Sequence, residues 1–192
     1  VHLHADALPV YEAQLSTMRR LGADEGSLFS TQGYLANVYK GLGRKEEALR
    51  LRREVYFGTL KLLGEEHRST IIAATDYAHS FETFKHFDEG KSLLRKVMPV
   101  ARRVLGEADE DWLRLSWTYA AMLFVWPEAT LDDLREAANR LEELERTTLR
   151  VLGGAHPHTK GIESHLRDAR AKLRAKELQE ASTPSMRAPE VD

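Results

Sequence analysis

The chain has 192 residues, with 28 basic and 30 acidic side chains and a formal net charge of −2. This balance excludes the strong positive field with which proteins attract nucleic acids or anionic membranes. The chain contains no cysteine, so disulfides and thiolate metal sites are excluded as well. Since no stretch approaches the roughly 20 apolar residues of a membrane span and no signal peptide is evident, we expect a soluble intracellular protein, either a fragment or a processed chain.

A repeat runs through the whole chain. Four of the Leu-Gly dipeptides, with their glycines at Gly22, Gly64, Gly106 and Gly153, follow one another at spacings of 42, 42 and 47 residues. A period in this range is typical of solenoids, in which each repeat is one supersecondary unit packed against its neighbours. The sequence therefore predicts a tandem array of similar units.

Each unit contains two helical patterns. With the glycine of Leu-Gly as position 1, positions 14, 15 and 18 form an apolar stripe at helical spacing. The residues of this stripe are Leu35, Ala36 and Tyr39, then Tyr77, Ala78 and Phe81, then Tyr119, Ala120 and Leu123. A second periodic segment follows a polar break and begins near Ala48, Gly90 and Ala137. Each unit is therefore predicted to be an antiparallel helix hairpin, and the fold class all-α, an α-α superhelix.

These patterns predict helices at residues 5–21, 26–40, 44–62, 68–84, 87–104, 109–125, 131–151 and 158–181. The predicted organisation is a solenoid over 1–181. It comprises a leading helix at 1–21 without a partner in this chain, repeats at 22–63, 64–105 and 106–152, and a C-terminal capping helix at 153–181. Residues 182–192 contain two prolines and little apolar content, which favours a flexible tail.

Several motifs resemble a known family. They are Gly64-Glu-Glu-His67-Arg-Ser-Thr70, Gly153-Gly-Ala-His156-Pro-His-Thr159, and Tyr34-Leu-Ala-Asn-Val-Tyr39 followed by Gly43-Arg-Lys-Glu-Glu-Ala48. They are similar to the 42-residue tetratricopeptide units of the kinesin light chain type. This resemblance covers residues 1 to about 175. It implies an α-solenoid whose first helices line a concave groove that holds peptides or partner helices.

The resemblance also indicates which residues border the groove. Positions 9, 12, 13 and 16 of each first helix point away from the apolar stripe, and their polar groups could bond a peptide while aromatic rings anchor it. The predicted groove residues are Ser30, Tyr34, Asn37, Thr75, Asp76, His79, Arg114, Trp117 and Thr118. For Trp117, packing in the core and contact with a ligand both stay open.

The third repeat departs from the pattern by five extra residues between Trp126 and Thr130. Trp126 either fills the gap left by the longer turn or contacts a partner. Thr130 and Asp133 have the spacing of a capping box for the helix that follows.

We predict no catalytic, cofactor-binding or metal-binding residues. The pair His156 and His158 lacks a third converging ligand, and we expect His67 and His156 to serve helix starts. Gly41-Leu-Gly43 lacks the remainder of a phosphate-binding loop. The basic stripe of Arg167, Arg170 and Arg174 could dock on RNA, but we favour a solvated face because no aromatic side chains accompany it.

The predicted function is a non-catalytic scaffold that binds a protein or peptide partner, or that docks as a subunit of a larger complex. The alternative is a regulatory helical domain of a longer enzyme or signalling protein. No nucleic-acid partner is expected.

Overall fold

The computed structural model describes residues 2–182, in which eight α-helices are joined by turns and no strand occurs. The helices are α1 (His2–Arg20), α2 (Glu25–Gly41), α3 (Lys45–Leu63), α4 (Arg68–Phe84), α5 (Phe87–Leu105), α6 (Glu110–Val125), α7 (Leu131–Val151) and α8 (Pro157–Ser182). All eight predicted helices are present, and no end differs from its predicted position by more than three residues. The expected tail at 182–192 lies outside the described residues, except that Ser182 ends α8 and is not part of a tail.

The described residues form two compact units, one extending to Met122 and the other beginning at Leu123. In the first unit, consecutive helices from α1 to α5 pack against one another. In the second unit, α7 packs against α8. The division into repeats at 22–63, 64–105 and 106–152 and a cap at 153–181 stays a prediction.

The predicted apolar stripe lies in the core. Ala36, Ala78 and Ala120 are fully buried. Their single methyl groups let neighbouring helices approach closely, which a larger side chain at position 15 would prevent. Of the nine stripe residues, only Tyr77 is more than slightly exposed. The stripe is thus confirmed as the core face of each first helix.

The recurrent glycines end helices by adopting backbone angles that other residues avoid. Gly64, after α3, has φ 82° and ψ 172°, and Gly106, after α5, has φ 81° and ψ 160°. This region of backbone conformation is essentially restricted to glycine. Gly22 and Gly153 also have positive φ. The backbone geometry therefore explains why glycine recurs in each Leu-Gly pair.

The two histidines expected at helix starts have that role. The Nδ1 atom of His67 accepts a hydrogen bond from the backbone N–H of Ser69 at 3.1 Å, at the start of α4. The Nδ1 atom of His156 accepts one from the N–H of His158 at 3.2 Å, at the start of α8. Each imidazole satisfies a donor that the first helical turn leaves unpaired. Both predictions are confirmed.

Candidate partner-binding groove

The first unit contains a groove between α2 and α4, with a volume of about 520 Å³. Residues of α2 between Gly26 and Asn37 line one wall, and Ser69, Ile72, Ala73 and Asp76 of α4 line the other. The second half of α3 contributes Val55, Thr59 and Leu63. We call this feature the α2–α4 groove. Its place follows from the hairpin pattern, because α2 and α4 are the first helices of successive predicted units.

The apolar part of the groove depends on a close contact between α2 and α3. The ring of Phe29 lies against α3 at Gly58, where a Cβ atom would be 2.2 Å from the ring atom Cζ. No other residue type could stand at position 58 without displacing that ring. With the half-buried Ile72 on the opposite wall, Phe29 provides an apolar surface for a ligand side chain.

Tyr34 is the most exposed aromatic side chain of the α2–α4 groove, with 58% of its surface accessible. Its ring stacks on Tyr11 of α1, with centroids 6.0 Å apart and planes at 24°. This contact restricts the ring while leaving much of it open to solvent. An aromatic ring held in this way can contact a ligand with little further loss of conformational entropy.

A buried arginine binds two of the residues that line the groove, Asn37 and Asp76. Arg52 of α3 is only 7% exposed, and its Nη2 donates to the Asn37 Oδ1 at 2.8 Å. Its Nη1 donates to the backbone oxygen of Asp76 at 3.1 Å and to the Ser80 Oγ at 2.9 Å. We call this set of contacts the Arg52 bridge. It ties α2 and α4 to α3 and fixes the orientation of Asn37 at the groove edge.

The Arg52 bridge places a positive charge among neutral acceptors. Burial lowers the pKa of the Arg52 guanidinium, while the charge of Asp76 opposes the shift. The guanidinium stays protonated because its ordinary pKa lies far above neutral pH. The Asp76 carboxylate is itself bound by Arg114, whose Nη1 donates to its Oδ1 at 2.6 Å. Asp76 is thus held between two arginines, with its backbone oxygen bound by Arg52 and its carboxylate by Arg114.

Four of the nine predicted groove residues line the α2–α4 groove. They are Ser30, Tyr34, Asn37 and Asp76. Thr75 has no exposed surface to offer, since it is 1% accessible and its hydroxyl donates to the Ile71 backbone oxygen at 2.9 Å. We therefore leave Thr75 out of the binding surface.

The other four predicted residues lie further along α4 and on α6. His79, Arg114, Trp117 and Thr118 are all half-buried. Desolvation, reinforced by the charge of Lys40, lowers the pKa of His79. The Thr118 hydroxyl is bonded to the Arg114 backbone oxygen at 2.8 Å. These four residues do not line the α2–α4 groove.

Sequence reasoning missed Arg52 and Phe29. Arg52 has a detectable signal, because it lies four residues after Ala48 and three before Val55, on the stripe that α3 buries. A charge at such a position must find partners in the interior. Phe29 has no comparable signal, since its contact depends on a glycine of another helix.

A second depression of about 510 Å³ lies between α1, α2 and α3. Its lining includes the charged side chains of Glu12, Arg19, Arg50 and Glu54. Apolar surface there comes mainly from Leu15, Leu35 and Leu51, which are buried in the core. It offers fewer accessible anchors than the α2–α4 groove.

The inserted residues lie in the second unit and are held by hydrogen bonds. Thr130 and Asp133 form the predicted capping box at the start of α7, which confirms that prediction. Lys172 of α8 donates to the Phe124 backbone oxygen at 2.9 Å, and Lys176 donates to that of Ala129. Trp126 is half-buried. Its contact with a partner stays a prediction.

Residues 28–69 match the family model of the tetratricopeptide repeat, which is the length of one 42-residue unit. The matched residues lie in α2, α3 and the start of α4. None of the curated proteins with which the sequence was compared matches it. No helix of residues 2–182 is both long and apolar enough to cross a membrane.

Solved structures extend the likeness to nearly the whole chain. Nearly identical TPR-like repeats from Podosopora anserina, provisionally named as a kinesin light chain, give a TM-score of 0.69 at 21% identity. A variant of them gives 0.71, also at 21% identity, and each comparison covers 92% of this chain and 82% of the other. BtubC (BKLC) from P. vanneervenii gives a TM-score of 0.63 at 16% identity. The comparison covers 98% of this chain and 78% of the BtubC chain.

These comparisons establish the fold. The chain has the all-α solenoid fold of kinesin light chain-like tetratricopeptide proteins, which confirms the fold class and the resemblance drawn from the sequence motifs. Folds of this type are typical of protein-interaction scaffolds, because stacked hairpins create extended binding surfaces.

Proposed function

We propose that the protein is a non-catalytic scaffold that binds an extended peptide or a partner helix in the α2–α4 groove, alone or as a subunit of a larger assembly. The observation that carries this proposal is the combination of apolar and polar groups in one groove of about 520 Å³. Peptide sites need both, because apolar pockets supply affinity while hydrogen-bonding groups fix register.

Two polar side chains of the groove support recognition of a ligand main chain. Arg52 can only donate, so Asn37 accepts with its Oδ1 and keeps its NH₂ group as a donor. The Ser30 hydroxyl donates to the Gly26 backbone oxygen at 3.0 Å and can still accept. A ligand carbonyl would bond Asn37, and a ligand N–H would bond Ser30.

The apolar groups would hold one ligand side chain. Phe29 and Ile72 face each other across the groove, and Tyr34 forms an exposed edge. Clusters of this kind, with an aromatic side chain near the centre, commonly dominate binding energy. His79, Arg114, Trp117 and Thr118 would extend the surface for a longer ligand.

Gly33 allows a direct test of the groove. A Cβ atom at Gly33 meets no atom within 4 Å, and the residue lines the groove in the middle of α2. Replacing Gly33 with Leu would occupy the groove while improving helix propensity by up to about 1 kcal/mol. We expect Gly33→Leu to weaken binding at least about tenfold, equivalent to 1.4 kcal/mol, without lowering the melting temperature.

The probe would be a peptide selected from a random display library with the full chain, and its affinity would be measured by fluorescence anisotropy. Phe57→Ala is the matched control, since Phe57 is a half-exposed aromatic residue of α3 outside the groove lining. We expect it to leave the affinity unchanged. Equal affinity for the wild-type and Gly33→Leu proteins would reject the groove as the binding site.

A further inference from the structure

A small pocket lies next to the Arg52 bridge, between the last turns of α2 and α4 and the first turns of α3. Its volume is about 10 Å³, and Lys40, Lys45, Arg52, Ser80 and Thr83 contribute to its lining. This space holds about one water-sized sphere. The pocket is separate from the α2–α4 groove, because none of these five residues lines that groove.

Three positive side chains line this pocket without a matching carboxylate. Within the described part of the chain, no carboxylate oxygen lies within ion-pair distance of Lys40, Lys45 or Arg52. The acceptors of Arg52 are an amide, a hydroxyl and a backbone carbonyl. Asp76, the carboxylate beside Arg52, is already bound by Arg114. The positive charge of the pocket is therefore offset only through space, by Asp76 and Glu82, and not by a direct ion pair among the described residues.

Arg52, the buried one of the three cations, also has an N–H group without an acceptor among the described residues. The Nε–H of Arg52 is buried and has no hydrogen-bond partner among residues 2–182. A buried donor without an acceptor is costly, and one oxygen atom in the pocket would remove that cost. The arginine is more than nine-tenths buried, so this donor is part of a built site and not of a solvated surface.

The first turn of α3 lies beside the pocket. The Lys45 N–H there already donates to the Gly43 backbone oxygen at 3.0 Å, and Glu46 and Glu47 add negative charge, so the cations of the pocket and not the helix terminus would hold an anion. Desolvation and the charge of Arg52 lower the pKa of Lys40, although Glu82 and Asp76 oppose this shift. A bound anion would reverse it.

We propose that this pocket, which we call the oxyanion pocket, binds one oxygen of a small oxyanion of the phosphate class. The remaining oxygens would lie at the surface between the exposed Lys40 and Lys45, since the pocket admits only one atom of this size. The anion would be either free phosphate or a phosphoryl group on a side chain. This site does not depend on peptide binding in the α2–α4 groove.

The test is a nuclear magnetic resonance titration of the full chain with inorganic phosphate at constant ionic strength. The Arg52 Nε–H resonance is the reporter, because it belongs to the donor without a partner. We expect a saturable shift with a dissociation constant of the order of 1 mM, equivalent to about −4 kcal/mol. A second titration with phosphoserine would separate a free anion from a phosphoryl group on a side chain.

Lys40→Gln with Lys45→Gln removes two of the three charges without touching the buried arginine. We expect about tenfold weaker binding, since partly exposed ion pairs contribute up to roughly 1 kcal/mol each. Lys61→Gln is the control, because Lys61 is exposed at the other end of α3. The oxyanion pocket would be rejected by the absence of a saturable shift, or by equal weakening in the control. Binding of phosphate alone or of both ligands would support it.

Discussion

Arg52 lies on the buried stripe of α3, where the helical period predicts an apolar side chain. It is accommodated because three neutral acceptors, contributed by Asn37, Asp76 and Ser80, surround its guanidinium. Hydrogen bonds to a charged group contribute more than neutral ones, and their loss leaves the partners unsatisfied in the interior. The residue therefore joins three helices through polar contacts where the other positions use packing.

Replacing Arg52 with Ala should lower the free energy of unfolding by about 2 to 4 kcal/mol, through loss of these bonds and of buried volume. Arg50 is the matched control, because its side chain is 70% exposed. Arg50→Ala should change the free energy of unfolding by no more than about 0.5 kcal/mol. Urea denaturation of both variants measures the difference. Equal effects would mean that the Arg52 bridge does not stabilise the fold.

His79 should make stability depend on pH near neutrality. Its pKa in the folded protein is lowered by desolvation and by Lys40, with Arg52 adding to the shift and Glu82, 3.8 Å away, opposing it. The unfolded chain, with a histidine pKa near 6.5, binds the proton more readily, so stability is lost as the pH falls below about 6.5. The contribution of neutral His79 to the stability is fully present above that pH.

The His79→Gln variant should therefore lose less stability than the wild-type protein between about pH 7.5 and pH 5.5, the range in which an unperturbed histidine titrates. Melting temperatures of both proteins across this range give the comparison. Parallel curves would show that His79 does not contribute to the pH dependence.

At the scale of single helices, two glycines have opposite surroundings. Gly33 of α2 faces open space, whereas Gly58 of α3 faces the ring of Phe29. Glycine in a helix interior is less stable than alanine by roughly 0.5 to 1 kcal/mol, so Gly33→Ala should stabilise the protein by about that amount. Gly58→Ala should destabilise it, because the added methyl group would overlap the aromatic ring.

Thermal unfolding of the two alanine variants tests this difference in sign. If Gly58→Ala proved as stabilising as Gly33→Ala, the close contact between α2 and α3 would be wrong, and with it the position of Phe29 in the groove.

The capping box of α7 is a second feature at this scale. Thr130 accepts from the Asp133 N–H at 3.0 Å, and Asp133 accepts from the Thr130 N–H at 3.1 Å. Thr130→Ala should cost about 1 kcal/mol of stability, as for other lost helix caps. Thr147→Ala on the same helix should be neutral or slightly stabilising, because alanine has the higher helix propensity. Chemical denaturation would detect the difference, and equal changes would argue against the cap.

For the molecule as a whole, the repeat period predicted most of the fold. Small residues such as Ala36 and Ala78 recur at the same position after the glycine of a Leu-Gly pair, such as Gly64. Each unit therefore buries the same face of its first helix. A local pattern repeated at a constant period determines which faces are buried, so helix ends and core positions could be predicted without long-range information.

The candidate site could be predicted only in part. Ser30, Tyr34, Asn37 and Asp76 follow from their positions within the repeat, whereas Thr75, at the repeat position of the groove-lining Gly33, is buried. The period assigns a helix face but not the rotation of a helix against its neighbours. The contact between Phe29 and Gly58 depends on that rotation.

The central claim is that a partner segment binds in the α2–α4 groove. The most direct measurement uses a selected peptide carrying a photoreactive group, crosslinked to the full chain and mapped by mass spectrometry. The groove predicts adducts on α2 and α4, at residues 26–37 and 69–76, and their loss in Gly33→Leu. Adducts concentrated around Glu12 and Arg50, and unaffected by that substitution, would contradict the account.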